Sequence, residues 1–314
     1  MKKVLLSLAV IAALSACDKN DQLIEEMPLA DIELKSTTES VVTTEASLDD
    51  LAEAAEYEVD LFTGTDEAMA TIAAEQDGIE LKAGGEGSKK RYRDRYKWGK
   101  CPDIHIVKEE GGWPRTITLN YGESTELENG RVISGIIEIY QTASRKVNGA
   151  TRTVTFKEFS VDAVGIAGTS EKTFKKDEFK VDIVRDLTFT LEDGTTIHRE
   201  AVRVRTWTQG MDTPLDHTDD IFEITGSVTC VDSDENEYSR LITTPLIKKG
   251  GCRYIVAGEV TLSSTKNGVD FATINYGDGE CDNIAIMTTA EGSEEIEIGK
   301  RKRERRQERN QNGQ

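Results

Sequence analysis

Histidine is nearly missing from this chain of 314 residues, which holds only His105, His198 and His217. There is no HExxH, so the helix of a zinc protease is excluded. The cysteines show neither CxxC nor a Cys/His cluster of zinc-site spacing, which argues against structural zinc. A GxSxG elbow and a phosphate-cradling glycine loop are also lacking. Aromatic residues make up 6% of the chain, and the 39 Lys and Arg are outnumbered by 58 Asp and Glu, giving a net charge of −19. That excess of negative charge favours solubility and argues against a general nucleic-acid partner. Past the first 16 residues, no run approaches the ~20 apolar residues of a transmembrane helix.

The first residues read MKKVLLSLAVIAALSAC. Lys2 and Lys3 form a positive start, Val4 to Ala13 an apolar stretch too short to span a bilayer, and Leu14-Ser15-Ala16-Cys17 has the form of a bacterial lipobox. Small residues before the cut suit a narrow peptidase pocket, and the Cys17 thiol is the nucleophile that takes up a diacylglyceryl group. Residues 1–16 are expected to be a removable leader and Cys17 a lipid anchor, with several acyl chains needed for firm attachment. Loss of Lys2 and Lys3 takes the net charge from −19 to −21. The expected location is the cell envelope, at the outer membrane, with either face of that membrane open.

The remaining chain divides by texture. Residues 17–46, acidic and rich in Ser and Thr, are expected to be the anchor and a disordered tether. Residues 47–88 are expected to be an acidic helical segment followed by a flexible break at KAGGEGS. Within it, Ser47 with Asp50 fits a capping box, and Leu48, Leu51, Ala55 and Val59 recur at helical spacing through about residue 76, with a second short helix after Thr65. Residues 18–88 hold twenty acidic and three basic side chains, whereas KKRYRDRYKWGK at 89–100 holds seven basic and one acidic. That basic stretch is expected to pair with the acidic helices or to enter the first strand. Residues 300–314, KRKRERRQERNQNGQ, lack apolar side chains and are expected to be a disordered tail.

From Cys101 the chain alternates Ile, Val, Thr, Phe and Tyr with polar residues in about a dozen runs. Asn129-Gly130, Asn148-Gly149, Asp193-Gly194, Asn267-Gly268 and Asp278-Gly279 punctuate them and supply the positive φ of tight hairpins. The expected fold is mainly β: residues 89–299 form one antiparallel domain, a β-sandwich or an elongated meander, after the basic entry stretch.

The strings CPDIHIV, WPRTITLNYG, NGRVISGIIEI, TRTVTF, VGIAGT, RTWTQG, EITGS, CRYIVAGEV, INYGDGECDN and EEIEIGK come in an order similar to uncharacterised exported lipoproteins of the Bacteroidota. The resemblance covers about residues 95–299 and the leader. It implies an exported, membrane-anchored, β-rich protein, and it brings no activity and no catalytic residue.

Several loops carry side chains that could do chemistry. Asp278, Glu280 and Asp282 in YGDGECDN offer hard oxygens at alternate positions, as a Ca²⁺ loop does, but lack a bidentate Glu at the expected distance. Cys281 in their midst points instead to a disulfide. Cys101, Cys230, Cys252 and Cys281 allow two bridges. Cys252 with Cys281 is the best motivated, since one opens a strand and the other closes the hairpin after its neighbour. Asp232, Asp234 and Asn236 mimic the start of a calcium loop without its central Gly and final Glu, as a solvated hairpin tip does. Asp216, His217, Asp219 and Asp220 read as a polar loop after Pro214, and His105 and His198 as ordinary strand positions. Trp113, in GGWP, is a loop aromatic that either caps the core or stacks on a sugar ring.

ATINYGDGECDN and TITLNYGESTELENG both run through Asn-Tyr-Gly into an acidic loop, which is the pattern of two related hairpins. The expected function is a lipid-anchored envelope protein with a non-enzymatic β-rich domain for binding or structure. No cofactor is expected, and the partners are the membrane, through the lipid, and a glycan or envelope protein. The alternative is an exported hydrolase acting on a polysaccharide or other envelope polymer.

Overall fold

The structure, a computed structural model, describes residues 29–63, 102–127, 130–212, 218–252 and 254–298, with helical side chains described from 41 onward except 43 and 46. It begins with one helix, α1 (Leu29–Thr63). The strands are β1 (Asp103–Lys108), β2 (Arg115–Asn120), β3 (Thr125–Glu126), β4 (Val132–Gln141), β5 (Ala150–Val161), β6 (Val164–Lys175), β7 (Lys180–Thr190), β8 (Thr196–Gln209), β9 (Ile221–Asp232), β10 (Glu237–Lys249), β11 (Ile255–Ser264), β12 (Asp270–Asp278), β13 (Ile284–Thr289) and β14 (Gly292–Glu297). They form one antiparallel sheet whose neighbours follow chain order, with the two-residue β3 continuing the edge that β2 makes on β4. The domain is therefore a meander, open at β1 and β14. Gly130, Gly149, Gly194, Gly268 and Gly279 all have positive φ, as their turns require. Among the described residues, no helix is long and apolar enough to cross a membrane.

Alternation sorts each strand into two faces. Ile117 and Leu119 on β2 and Ile137 and Ile139 on β4 point inward and are fully buried. The other face follows the register from Thr118 to Glu138, Thr155, Thr169, Asp186 and Glu200, a row of hydroxyls and carboxylates across six strands. This row is polar, and the same face also exposes Tyr140, Val184 and Val202.

The helix corrects the expected boundaries. It begins at Leu29, inside the stretch expected to be a tether, and Ser47 lies in its middle rather than at its cap. It also packs on the domain. Leu48, Leu51, Ala52, Ala55, Val59 and Phe62 share one core with the inward residues of β1 to β10, and Val42 joins a second core with residues of β10 to β13. The acidic composition that reads as solvated is turned largely inward: Glu45, Glu56 and Glu58 are buried. Glu56 and Glu58 leave a helix about 160° apart, on either side of its apolar stripe. Since both are buried against sheet partners, the sheet covers close to half of the helix circumference between them. The second helix expected after Thr65, the KAGGEGS break, the basic stretch 89–100, Cys17 with its leader, Cys101 and the tail 300–314 lie outside the described residues.

Glycines inside strands permit this bending. Gly135, Gly168, Gly226 and Gly258 have φ of 82°, 111°, 129° and 104°. A Cβ on Gly168 would sit 2.1 Å from the Asp186 carbonyl oxygen, and one on Gly226 2.1 Å from that of Val202. Only a residue without Cβ fits such a crossing. Gly226→Ala is expected to lower unfolding stability by roughly 2–4 kcal/mol, combining backbone strain with the clash. Gly130→Ala, where φ is positive but no atom lies within 4 Å of the added Cβ, is expected to cost about 1 kcal/mol. Urea midpoints of the two variants check the difference.

Candidate functional site

The densest gathering of functional side chains lies between α1 and the concave face of the sheet. Seven cationic residues, Arg131, Arg152, Lys172, Arg185, Arg199, Arg203 and Arg240, are each at most 9% exposed there. Their strands place them in phase with apolar neighbours: on β8, Ile197, Arg199, Ala201 and Arg203 all face inward. The helix answers with carboxylates at 45, 49, 56 and 60, spacings that keep them on one stripe.

Two clusters result. At the first, Asp49 accepts from Arg199 at 2.6 Å, Arg203 at 2.9 Å and Arg240 at 2.5 Å. Glu45 beside it accepts from Arg199 at 3.2 Å, the Tyr238 hydroxyl at 2.9 Å and the Cys230 thiol at 3.2 Å. At the second, Glu56 accepts from both Arg152 and Lys172, with Arg185 3.7 Å away. Arg152 also donates to Asp60 at 2.8 Å and to the Thr63 hydroxyl at 2.7 Å, which itself donates to the Val59 carbonyl. A smaller contact joins Asp50 to Arg131, which faces Asp162 at 3.6 Å.

The two Asn-Tyr-Gly hairpins feed this interior in the same way. Asn120 Oδ1 accepts the N–H of Gly122 and Asn275 Oδ1 that of Gly277, each at 2.9 Å, and both glycines have positive φ. The tyrosine between is thereby turned inward. Tyr121 donates to Glu58 at 2.9 Å, and Tyr276 accepts from Arg240 at 3.1 Å.

Charge pairing governs the protonation states. Burial alone would raise the Asp49 carboxyl, but Arg199, Arg203 and Arg240 reverse this and hold it well below the usual range. Burial likewise works against Glu56 and Asp60, and Lys172 and Arg152 outweigh it to lower both. The side chain of Asp60 is 42% exposed against 11% for Glu56, so water screens its pairs more strongly. Burial pulls the Lys172 ammonium down to about 8, opposed by Asp60 and Glu56. These arrangements hold a helix; Glu45, Asp49, Glu56 and Asp60 are each engaged by a cation or a hydroxyl.

Cys252 and Cys281 are joined by a disulfide, and Cys230 is a buried free thiol. The bridge ties the β10–β11 turn to the loop after β12. Asp278, Glu280 and Asp282 are exposed and line a shallow cavity of about 90 Å³. They do not gather as ligands. Asp282 Oδ1 accepts the Ile284 N–H at 3.0 Å, and the Lys249 ammonium donates to the Gly279 carbonyl of the same loop at 2.6 Å. Asp232 accepts from the N–H groups of Asp234 and Asn236, both at 2.9 Å, which closes the hairpin tip. Trp113 is partly buried, with the Arg115 guanidinium over its ring at 3.9 Å, so one face of the indole is taken. Asp216 and His217 lie outside the described residues, and Asp220 is buried.

Among the described residues, one group of three metal-capable side chains converges: Asp186, His198 and Glu200 on the outer face, with ligand atoms within 4.8 Å of one another. His198 stands between the two carboxylates, Nδ1 3.7 Å from Asp186 and Nε2 3.9 Å from Glu200, and these two carboxylates face each other directly across two strands. Sequence reasoning missed this group because only the β7–β8 register brings it together. It missed the interior clusters too, although the alternation of Arg with apolar residues in RTV and IHREAVR carries their signal. Comparison with family models, curated proteins and solved structures found no match to this chain.

Truncating one partner of a buried pair leaves charges unpaired, so Asp49→Ala is expected to cost about 3–5 kcal/mol of stability. Glu138→Ala, which breaks the exposed pair with Lys157, is expected to cost less than about 1 kcal/mol. Urea unfolding at neutral pH measures both. Depressed carboxyls give stability that is complete above their unfolded values of 3.8 for Asp and 4.5 for Glu. Below these values the unfolded chain takes up protons first, so unfolding midpoints are expected to fall as pH drops from 5 to 3. Lys172 acts in the opposite sense: between about 8 and its free value of 10.5 the folded state releases its proton first, so its contribution rises with pH.

Proposed function

We infer that this chain is a lipid-anchored protein of the cell envelope, held at the outer membrane, whose β-rich domain serves binding or structure rather than catalysis. The observation that carries the domain half of this reading is the filled concave face. In a wrapped sheet that face is where a small-molecule site is built, and here α1 occupies it with its own carboxylates paired to the inward cations. The ionisable groups gathered in the interior thus serve cohesion. The anchor half rests on the leader and the lipobox ending at Cys17. The domain's partners would be a glycan or another envelope protein, met through the outer face or the rim that carries Trp113.

The mature N-terminus is expected to be a diacylglyceryl-modified Cys17, seen by mass spectrometry, and Cys17→Ser is expected to move the protein from the membrane to the soluble fraction. An unmodified Cys17 or cleavage elsewhere sinks the anchor. A glycan array run beside a hydrolysis screen tests the rest: binding without turnover supports a binding module, and turnover overturns it.

A further inference from the structure

We propose that the basic concave face is a receptor for acidic amphipathic helices, filled here by the chain's own α1, and that a second copy of the chain can supply the same helix in exchange. The proposal is independent of lipid anchoring.

Three observations lead to it. First, among the described residues, no backbone hydrogen bond and no disulfide ties α1 to the sheet; it is held by its side chains. The helix is thus a ligand by every criterion except chain continuity. Second, that continuity is long in sequence. Residues 64–101 separate Thr63 from the first described residue before β1, and 38 residues can reach at most roughly 125 Å. Such a length can deliver the helix to its own sheet or to a neighbour's. Third, the interface has the chemistry of recognition rather than of a plain core. The ligand must present carboxylates at the positions of Glu45, Asp49, Glu56 and Asp60, beside an apolar stripe of Leu48, Ala52, Ala55 and Val59.

Buried ion pairs repay their desolvation only in part. The Nε–H groups of Arg152, Arg199 and Arg203 have no hydrogen-bond partner among the described residues. Seven cations also disfavour an empty face, so a departing helix is replaced by one of the same kind. A swapped helix makes the same contacts as its own, and domain exchange therefore needs no new complementarity. The balance between own and foreign helix is set by effective concentration, which a long connection lowers.

The test uses the full chain with a protease site placed in the KAGGEGS segment, folded and then cut. The nicked protein is expected to keep its helix through size-exclusion chromatography and to exchange it for a fluorescent peptide of residues 29–63, faster as salt is raised. A peptide carrying Asp49→Asn and Glu56→Gln is expected to be taken up at least about tenfold less well. In parallel, uncut protein labelled with two dyes and concentrated together is expected to yield mixed dimers that persist on dilution. The proposal is overturned if the nicked protein unfolds, if it holds its helix but takes up no peptide at any salt concentration, or if both peptides bind alike. Mixed dimers failing to form while the peptide exchanges would confine the receptor to peptide in trans and overturn the exchange between copies.

Discussion

Cations facing the inside of a sheet cannot remain there alone, and α1 is what lets them stay. Asp49 meets three guanidinium groups and Glu56 meets two cations and a third at longer range. Without the helix the same strands would present a positive trough with an apolar floor, costly on both counts. The helix is equally dependent. Its acidic stripe would repel itself along i, i+4 positions without the opposing charges. Sheet and helix thus each correct a defect in the other, which is why neither half reads as a stable unit by itself.

Ion pairing also selects one arrangement among many. Apolar stripes tolerate sliding, since one aliphatic contact resembles the next. The carboxylates do not: a shift of α1 by one turn would carry Asp49 away from the three arginines of β8 and β10 and Glu56 away from β5 and β6. Register and direction of the helix are set by charge, in the manner of a polar residue that fixes a coiled coil. The glycine crossings at Gly168 and Gly226 supply the complementary freedom, letting strands bend until both sides of the helix are covered.

Much of the sheet could be read beforehand. The run VISGIIEIYQ coincides with β4, and the five Asn-Gly and Asp-Gly turns fall between strands or at their ends. β6 could not, since Gly165 and Gly168 break its pattern and its second half, SEKTFK, has Phe174 as its one apolar side chain among five charged or hydroxyl ones. FKVDIV and LTFTL, two runs in sequence, are one strand because Arg185 and Asp186 between them simply face opposite sides. The pairing of Cys252 with Cys281 was within reach because hairpin counting puts both at one end of the sheet. The interior site was not. Composition marks a segment rich in Glu and Asp as solvated, and the opposite conclusion needs the inward parity of arginines on strands up to 191 residues away. The outer cluster at His198 needs register, which a single sequence does not carry.

The order of elements along the chain gives the buried helix a timing problem. A polypeptide is made from its N-terminus, so α1 exists long before the strands that enclose it. Tyr238 and Arg240 lie 193 and 191 residues beyond the carboxylates they bind. Each hairpin of the meander can close as soon as its two strands are made, because its contacts are local. The core can close only when β10 has arrived. Until then a strongly acidic, half-apolar helix must wait in solution, and its charge, which later fastens it to the sheet, is in that interval what keeps it from aggregating.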